Sequence, residues 1–436
     1  MKFLGHTGKM IVVGVLVIIC WVASLFVLGV VSEREGRQSE AEAQVAEDWG
    51  RPQVVAGPVL VIPTTKSIAN PHVPSVVTQQ VLYILPKDLS IESEIKPEVR
   101  KRGIFSAPVY RTKLNFSGSF TPINFIELGV NANQVLWDKA TLMIGLSDTR
   151  SVDATSAKFD GREIKFAPGA ELWSVNGMGV HAPVYLIPGS GEHSFSFELD
   201  LSGSKGISFL PLGDVTKVSA QAPWGSPSFT GAFLPDTEEL SKDNFSAVWQ
   251  VSSLGRSYPS AWVGSGNGMI NNEYSQALAA STFGVDLFRE VTFYTLVSRT
   301  VKYAILFIAL TFLAFYLFEV TSGIKIHPFQ YILIGAALVL FYLLLLSISE
   351  HIGFGRSYLI SSIMTLGLVT TYSASVLKAR SRAWIVATIL AILYAYLYAI
   401  LQLEQFALLF GTLFLFVALA AVMYTTRKIE WYKELG

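Results

Sequence analysis

The residues able to do chemistry are few and scattered. His181, Glu192, His193 and Asp148 are the polar candidates of the long middle segment, since a histidine with a carboxylate is the minimal pair for general acid–base work. Their spacing matches neither a metal-ligand set nor a nucleophile–base–orienter triad. No G-x-S-x-G, H-E-x-x-H, S-x-x-K or Walker-type stretch is present. Gly264-Ser-Gly-Asn-Gly268 is a glycine-rich loop without the strand-to-helix setting that a phosphate cradle needs. Cys20 is the single cysteine, so the chain has no disulfides and no thiolate metal site. The expectation is a non-enzymatic protein with no catalytic, cofactor-binding or metal-binding residues.

A second set of polar side chains lies in apolar surroundings. Ser357, Ser361, Thr365, Tyr372 and Ser375 recur at steps of four, four, seven and three, which puts them on roughly one face of a helix. Such a face serves close helix packing and interhelical hydrogen bonds; the alternative is the lining of a small-molecule path. Tyr394 and Tyr398 read the same way. Arg299, Lys302, Glu350 and His351 stand at the ends of apolar runs, where long basic side chains snorkel and polar groups face headgroups. The neighbours Glu350 and His351 have a second reading as a sensor of external pH. Ion-coupled carriers usually hold a charge within a span, whereas here the charges, Glu319 included, are expected at the edges.

The elements that must position these residues are long and apolar. Five runs, 303–318, 329–348, 357–377, 383–401 and 406–424, follow one another with short polar links. Each approaches the roughly 20 residues that cross a bilayer's hydrocarbon layer at 1.5 Å per residue. A sixth run, 10–31, follows Lys2 and Lys9; its 22 residues exceed a signal-peptide core and no clear A-x-A site follows. An uncleaved helix is expected there. The chain is 51% hydrophobic, with 33 basic and 33 acidic residues, so its charge balance gives no argument for nucleic acid.

Orientation follows from the basic residues beside the runs. With residues 1–9 inside, Lys2, Lys9, Lys325, Lys378, Arg380, Arg382, Arg427, Lys428 and Lys433 share one side; Arg34, Arg37, Arg299, Lys302 and Arg356 share the other. The bias predicts both termini in the cytoplasm and residues 32–298 outside it. The fold class expected is a membrane protein: six transmembrane helices, helix 1 at 10–31 and five more in the bundle of residues 299–426, with a large mostly-β periplasmic domain inserted between helices 1 and 2.

Within 32–298, residues 32–48 are polar and rich in helix formers, stopped by Gly50 and Pro52. The pattern then alternates. Phe195, Phe197, Leu199 and Leu201 share one face, as do Tyr110, Thr112, Leu114 and Phe116, and Phe245, Ala247, Trp249 and Val251. Period two predicts half-buried antiparallel strands; others cover 54–62, 78–85, 140–147 and 228–234, separated by turns such as Asp160-Gly161, Pro168-Gly169 and Pro188-Gly189. The expected result is a sandwich or two β lobes. LNFSGS at 114–119 and LDLSGS at 199–204 look alike, which hints at duplication without establishing it.

RTVKYAILFIALTFLAFYLFE (299–319), HPFQYILIGAALVLFYLLLLSISEHIGF (327–354), GPVLVIP (57–63) and SPSFTGAFLP (226–235) resemble the CreD inner-membrane protein family, and the layout agrees over essentially the whole chain. The resemblance implies a protein of the bacterial inner membrane in the output of a CreBC two-component system. It further implies a role in envelope integrity, β-lactam response and colicin tolerance. It brings no catalytic residues and no ligand. The expected partners are the lipid bilayer and an unidentified envelope component, with a transporter or flippase-like protein as the first alternative and an envelope hydrolase as the second.

Overall fold

The computed structural model describes residues 6–70, 73–169, 178–189, 191–265, 272–287, 292–322, 326–377, 380–403 and 406–427. Lys2, Lys325, Lys378, Lys428, Lys433 and residues 266–268 of the glycine-rich loop lie outside them. Two compact units emerge: Ser39–Glu290, and Met1–Gln38 with Val291–Gly436. The first of these lies within the expected segment 32–298.

Helix α1 (His6–Trp49) is unbroken over 44 residues and contributes to both units. Its apolar half exposes Ile11, Ile18, Ile19 and Phe26, the surface of a helix that faces lipid. The helix stops at Gly50, whose φ of +150° suits a residue without Cβ; a Cβ there would meet the Ser202 carbonyl carbon at 3.0 Å.

The β unit contains β1 (Gln53–Asn70), β2 (Val73–Ile84), β3 (Asp88–Arg102), β4 (Phe105–Phe120), β5 (Thr141–Leu146), β6 (Asp153–Phe159), β7 (Arg162–Glu163), β8 (Ala167–Pro168) and β9 (Gly179–Pro183). It continues with β10 (His193–Ser204), β11 (Gly206–Phe209), β12 (Val215–Ala222), β13 (Pro227–Gly231), β14 (Thr237–Leu240), β15 (Phe245–Ser252), β16 (Ala261–Ser265), α2 (Asn272–Ala280) and β17 (Phe283–Leu287). One sheet runs β13-β17-β11-β1-β5-β9-β8, with β2 pairing β1 and β16; the other runs β14-β15-β12-β3-β4-β10-β6-β7. Along β10, Phe195, Phe197, Leu199 and Leu201 are buried while Ser194 and Ser196 are exposed, so the alternation of the sequence is the alternation of the sheet.

Both sheets feed one core. Phe229 of β13 packs on Phe245 and Trp249 of β15 at 6.0 and 5.6 Å, and Trp249 meets Phe283 of β17 at 5.8 Å. Between the two arrangements expected, a single sandwich is the one observed. Two strand pairs depart from the antiparallel expectation: β1 with β11 and β12 with β3 are parallel. The chain leaves β10 in one sheet and enters β11 in the other across Lys205 alone, in a left-handed conformation with φ +62°, so β11 lands beside β1 with its direction set by the crossing.

The likeness of 114–119 to 199–204 has a local explanation. β4 and β10 pair with Leu114 opposite Leu199, which sets Gly118 opposite Phe195 and Gly203 opposite Tyr110. A Cβ on Gly118 would meet the Phe195 ring at 2.7 Å, and one on Gly203 the Tyr110 ring at 2.5 Å. Each glycine makes room for an aromatic ring of the neighbouring strand.

The helical unit adds α3 (Phe293–Lys302), α4 (Ala304–Ser322), α5 (Pro328–Ile352), α6 (Phe354–Val376), α7 (Arg380–Gln402) and α8 (Ala407–Thr426). The run expected at 303–318 is only part of its element: α3 begins ten residues earlier and meets α4 at a 44° bend. Thr292 caps α3 by accepting from the Thr295 N–H, and Tyr294, Val297, Thr300 and Val301 form its buried face. Among the described residues, four helices are long and apolar enough to cross a membrane, or five if α3 and α4 form one broken span; Leu409–Tyr424 is a shorter apolar helix. The HPFQ segment starts α5 by a capping box. His327 Nδ1 accepts from the Phe329 N–H at 3.2 Å, Gln330 Oε1 accepts from the His327 N–H at 2.9 Å, and Pro328 takes the first helical position.

Candidate functional site

Two of the charges expected at the edges of the spans, Glu319 near the end of α4 and Glu350 near the end of α5, have largely buried side chains and are paired inside the helical unit. Glu319 of α4 is 8% exposed and forms an ion pair with Lys9 of α1. It also accepts from the Tyr331 hydroxyl at 3.3 Å and from the Ile326 N–H at 3.3 Å. Glu350 of α5 accepts from the Tyr294 hydroxyl at 3.1 Å and lies 3.7 Å from Arg34 of α1. Each cluster is one carboxylate, one tyrosine and one basic residue of α1. Lys9 and Arg34 stand 25 positions apart, about 37 Å along a helix, so α1 is held near both ends of its apolar run. Neither set is a nucleophile with a base; each neutralises a buried carboxylate and fixes the register of α1 against its neighbours.

His351 does not join Glu350. It is exposed and sits 3.1 Å from the Ser347 carbonyl, since adjacent positions on a helix point about 100° apart. Lys302 is exposed and Arg299 half-buried. Sequence reasoning missed Tyr294, Tyr331 and the two partners on α1. The available signal was a basic residue at each end of run 10–31 with carboxylates at matching ends of later runs.

On α6, Ser357, Ser361 and Thr365 are buried, but Tyr372 is half-buried and Ser375 exposed. The buried face continues instead through Val369 and Ser373 at steps of four. A helix crossing its neighbour at an angle packs along the i±4 ridge, which drifts around the axis and leaves Ser375 behind. Ser357 and Ser373 donate to the carbonyls four residues back, at 2.6 Å each. The hydroxyls of Ser361 and, on α5, Ser349 are buried without a hydrogen-bond partner. Beside them Phe341 packs on Tyr358 and Tyr394 at 5.6 and 4.7 Å, and the Tyr358 hydroxyl donates to the Tyr394 carbonyl at 2.7 Å. Tyr398 is the outer ring of this group, 5.2 Å from Tyr358.

In the β unit each candidate is tied to its own domain. Asp148 accepts from Arg150 Nη2 at 2.6 Å and from the Arg51 N–H at 3.1 Å, and these bonds, the Arg150 guanidinium first, pull its carboxyl down to about 2. His193 is buried with Nδ1 2.6 Å from Asp160 Oδ2, its ring against Phe159 at 5.6 Å. Glu192 accepts from the Ser119 hydroxyl at 2.7 Å and pairs with Lys87 at 3.4 Å, and both contacts lower its pKa. His181 Nδ1 bonds the Gly169 carbonyl. An open groove of about 430 Å³ on this unit is lined by Glu94, Lys96, Gln221, Glu239, Asn244 and Ser246 among others, with no histidine. The described residues bring no three histidine, cysteine or carboxylate groups together in a metal-binding set.

Several apolar helices together with a large β sandwich define an integral membrane protein with a folded β domain. Residues 6–432 match the model of the CreD family, described as "Inner membrane protein CreD". The chain is also 32% identical over 427 residues to the "Inner membrane protein CreD" of Escherichia coli (strain K12), covering 95% of this chain and 91% of that one. It belongs to the CreD family. Among solved structures, it is similar to yeast LTA4 hydrolase at 7% identity, covering 37% of this chain and 26% of the other, TM-score 0.19. A putative protease from Parabacteroides distasonis aligns at 9% identity over 52% of this chain and 46% of its own, TM-score 0.22. At such scores neither similarity carries an argument about fold or activity.

Proposed function

We propose that this chain is a non-enzymatic envelope protein of the inner membrane, with six spans, both termini in the cytoplasm and its β domain in the periplasm. That domain binds another component of the envelope. In this reading the protein acts in the output of a CreBC-type two-component system and serves envelope integrity under β-lactam and colicin challenge. The observation that carries the non-enzymatic part is the commitment of every candidate side chain. Asp148, Glu192, His193 and His181 each hold their own domain together, and the lining of the groove beside β14 contains no histidine. Membership of the family supports the cellular role.

Photo-crosslinking from single positions on the β domain in living cells tests the reading. The expected result is one envelope component captured from several positions on the same face. Release of envelope fragments by the purified chain, lost on Asp160→Ala, would overturn it.

A second reading has one specific observation in its favour. Ser349 and Ser361 bury unpartnered hydroxyls between α5 and α6, the kind of group that a polar solute moving along that face would satisfy. Under passage of a small molecule, Thr365→Ala changes the stress phenotype while protein level and melting stay constant. Under packing, it is mild in both.

A further inference from the structure

The hairpin of β3 and β4 extends beyond its sheet. β12 pairs with β3 only as far as Glu94, and β10 pairs with β4 only as far as Val109. Residues Val99–Arg102 and Phe105–Ala107 therefore pair with each other and with no further strand. One face of this arm is occupied by the last turns of α1: Arg100 lies over the Trp49 ring at 4.2 Å, Arg102 pairs with Asp48 at 2.9 Å, and Ala107 and Val109 cluster with Val45. The tip and outer face are open. Val99 is 49% and Ile104 50% exposed, with Lys101, Arg102 and Gly103 exposed between them.

Residues 96–102, KPEVRKR, carry four basic groups against one acidic. Lysine and arginine on a free strand edge deter edge-to-edge pairing, which accounts for the charge. It does not account for two branched aliphatic side chains left in water at the end of a projecting arm. Basic residues interleaved with exposed aliphatics are the composition of segments that rest on an anionic membrane surface. The pairs of Arg100 with Glu98 and Arg102 with Asp48 are half-exposed, hence weak enough to exchange for phosphate oxygens, and Lys101 forms no ion pair among the described residues.

We propose that the β3–β4 arm binds anionic phospholipid headgroups, Lys101 and Arg102 meeting phosphates while Val99 and Ile104 enter the layer beneath them. The test uses the full chain with Cys20→Ser and Ile104→Cys, labelled at position 104 with an environment-sensitive fluorophore. It is reconstituted in nanodiscs of phosphatidylcholine, alone or mixed with phosphatidylglycerol, with vesicles of the same lipid added. The expected result is shielding from aqueous iodide and quenching by nitroxide-labelled lipid in the mixed lipid, reversed by salt. Lys101→Glu lowers the quenching roughly fivefold. A label at Ile126→Cys, in an exposed loop, stays accessible to iodide throughout.

Lys101→Gln, with the melting curve recorded, separates loss of charge from loss of fold. Accessibility at 104 in both lipids overturns the proposal. So does shielding without lipid quenching, which marks a second copy of the chain as the occupant instead.

Discussion

At the residue scale the chain spends its buried charges on holding elements in register. Asp148 is the case with a measurable pH signature. Its folded pKa, about 2, lies below the ordinary 3.8 because Arg150 and two backbone N–H groups favour the carboxylate. Its contribution, about 2 kcal/mol by linkage, is complete above about pH 5 and lost progressively as pH falls toward about 1. Asp148→Asn should flatten the dependence of β-domain melting on pH across that interval and leave the slope above it unchanged. The two buried glutamates make a second test. Glu319→Ala leaves Lys9, the Tyr331 hydroxyl and the Ile326 N–H without their acceptor, so the melting of the purified protein in detergent should show a loss of about 3 to 5 kcal/mol. His351→Ala, which touches only the Ser347 carbonyl, should leave it within about 0.5 kcal/mol.

At the scale of elements, sequence periodicity carried far. The period-two segments at 195–201 and 245–251 lie within β10 and β15 with the expected faces inward, because alternation is a property of the pleat itself. The face of α6 was only half legible. Helical spacing identified Ser357, Ser361 and Thr365, but the crossing direction of the neighbouring helix decided that Val369 and Ser373 follow, and no local pattern encodes that direction. Thr365 is 2% exposed, so Thr365→Leu should overpack the face and cost about 1 to 3 kcal/mol in the same melting experiment. On the β side, Gly118→Ala pushes a methyl into the Asp88 carbonyl and the Phe195 ring and should cost a similar amount, about 1 to 3 kcal/mol, seen as a lower denaturant midpoint.

At the scale of the molecule, the boundary of the β domain is itself testable. Val45 and Trp49 pack on Ala107 and Val109, and Trp49 Nε1 donates to the Tyr110 carbonyl at 3.3 Å. A fragment of residues 39–290 should therefore unfold cooperatively, insensitive to reductant, with strand-like circular dichroism. A fragment of residues 50–298 lacks that packing and should be less stable by about 2 kcal/mol in urea. Equal stability of the two fragments would show that the end of α1 contributes nothing to the domain. For the proposed topology, reporter fusions after residues 120 and 436 should place the first outside the cytoplasm and the second inside. An external reporter at 436 would remove one of the six spans.

What the sequence determined by itself was whatever is written locally: apolar length, strand alternation, the glycine and proline that end α1, and the motifs that mark the CreD family. Hydrophobic burial and backbone geometry act at the spacing of neighbours, so they leave periodic traces in the chain. Tertiary structure alone decided the rest. Glu319 and Glu350 lie near the ends of α4 and α5, but a carboxylate next to an apolar run does not name its partner; Lys9 lies 310 positions from Glu319. The crossing from β10 to β11, and with it the parallel pairing of β1, rests on one residue whose conformation its type does not announce. Partners brought together over such separations leave no period to read, and only the folded chain shows which charges are buried and what neutralises them.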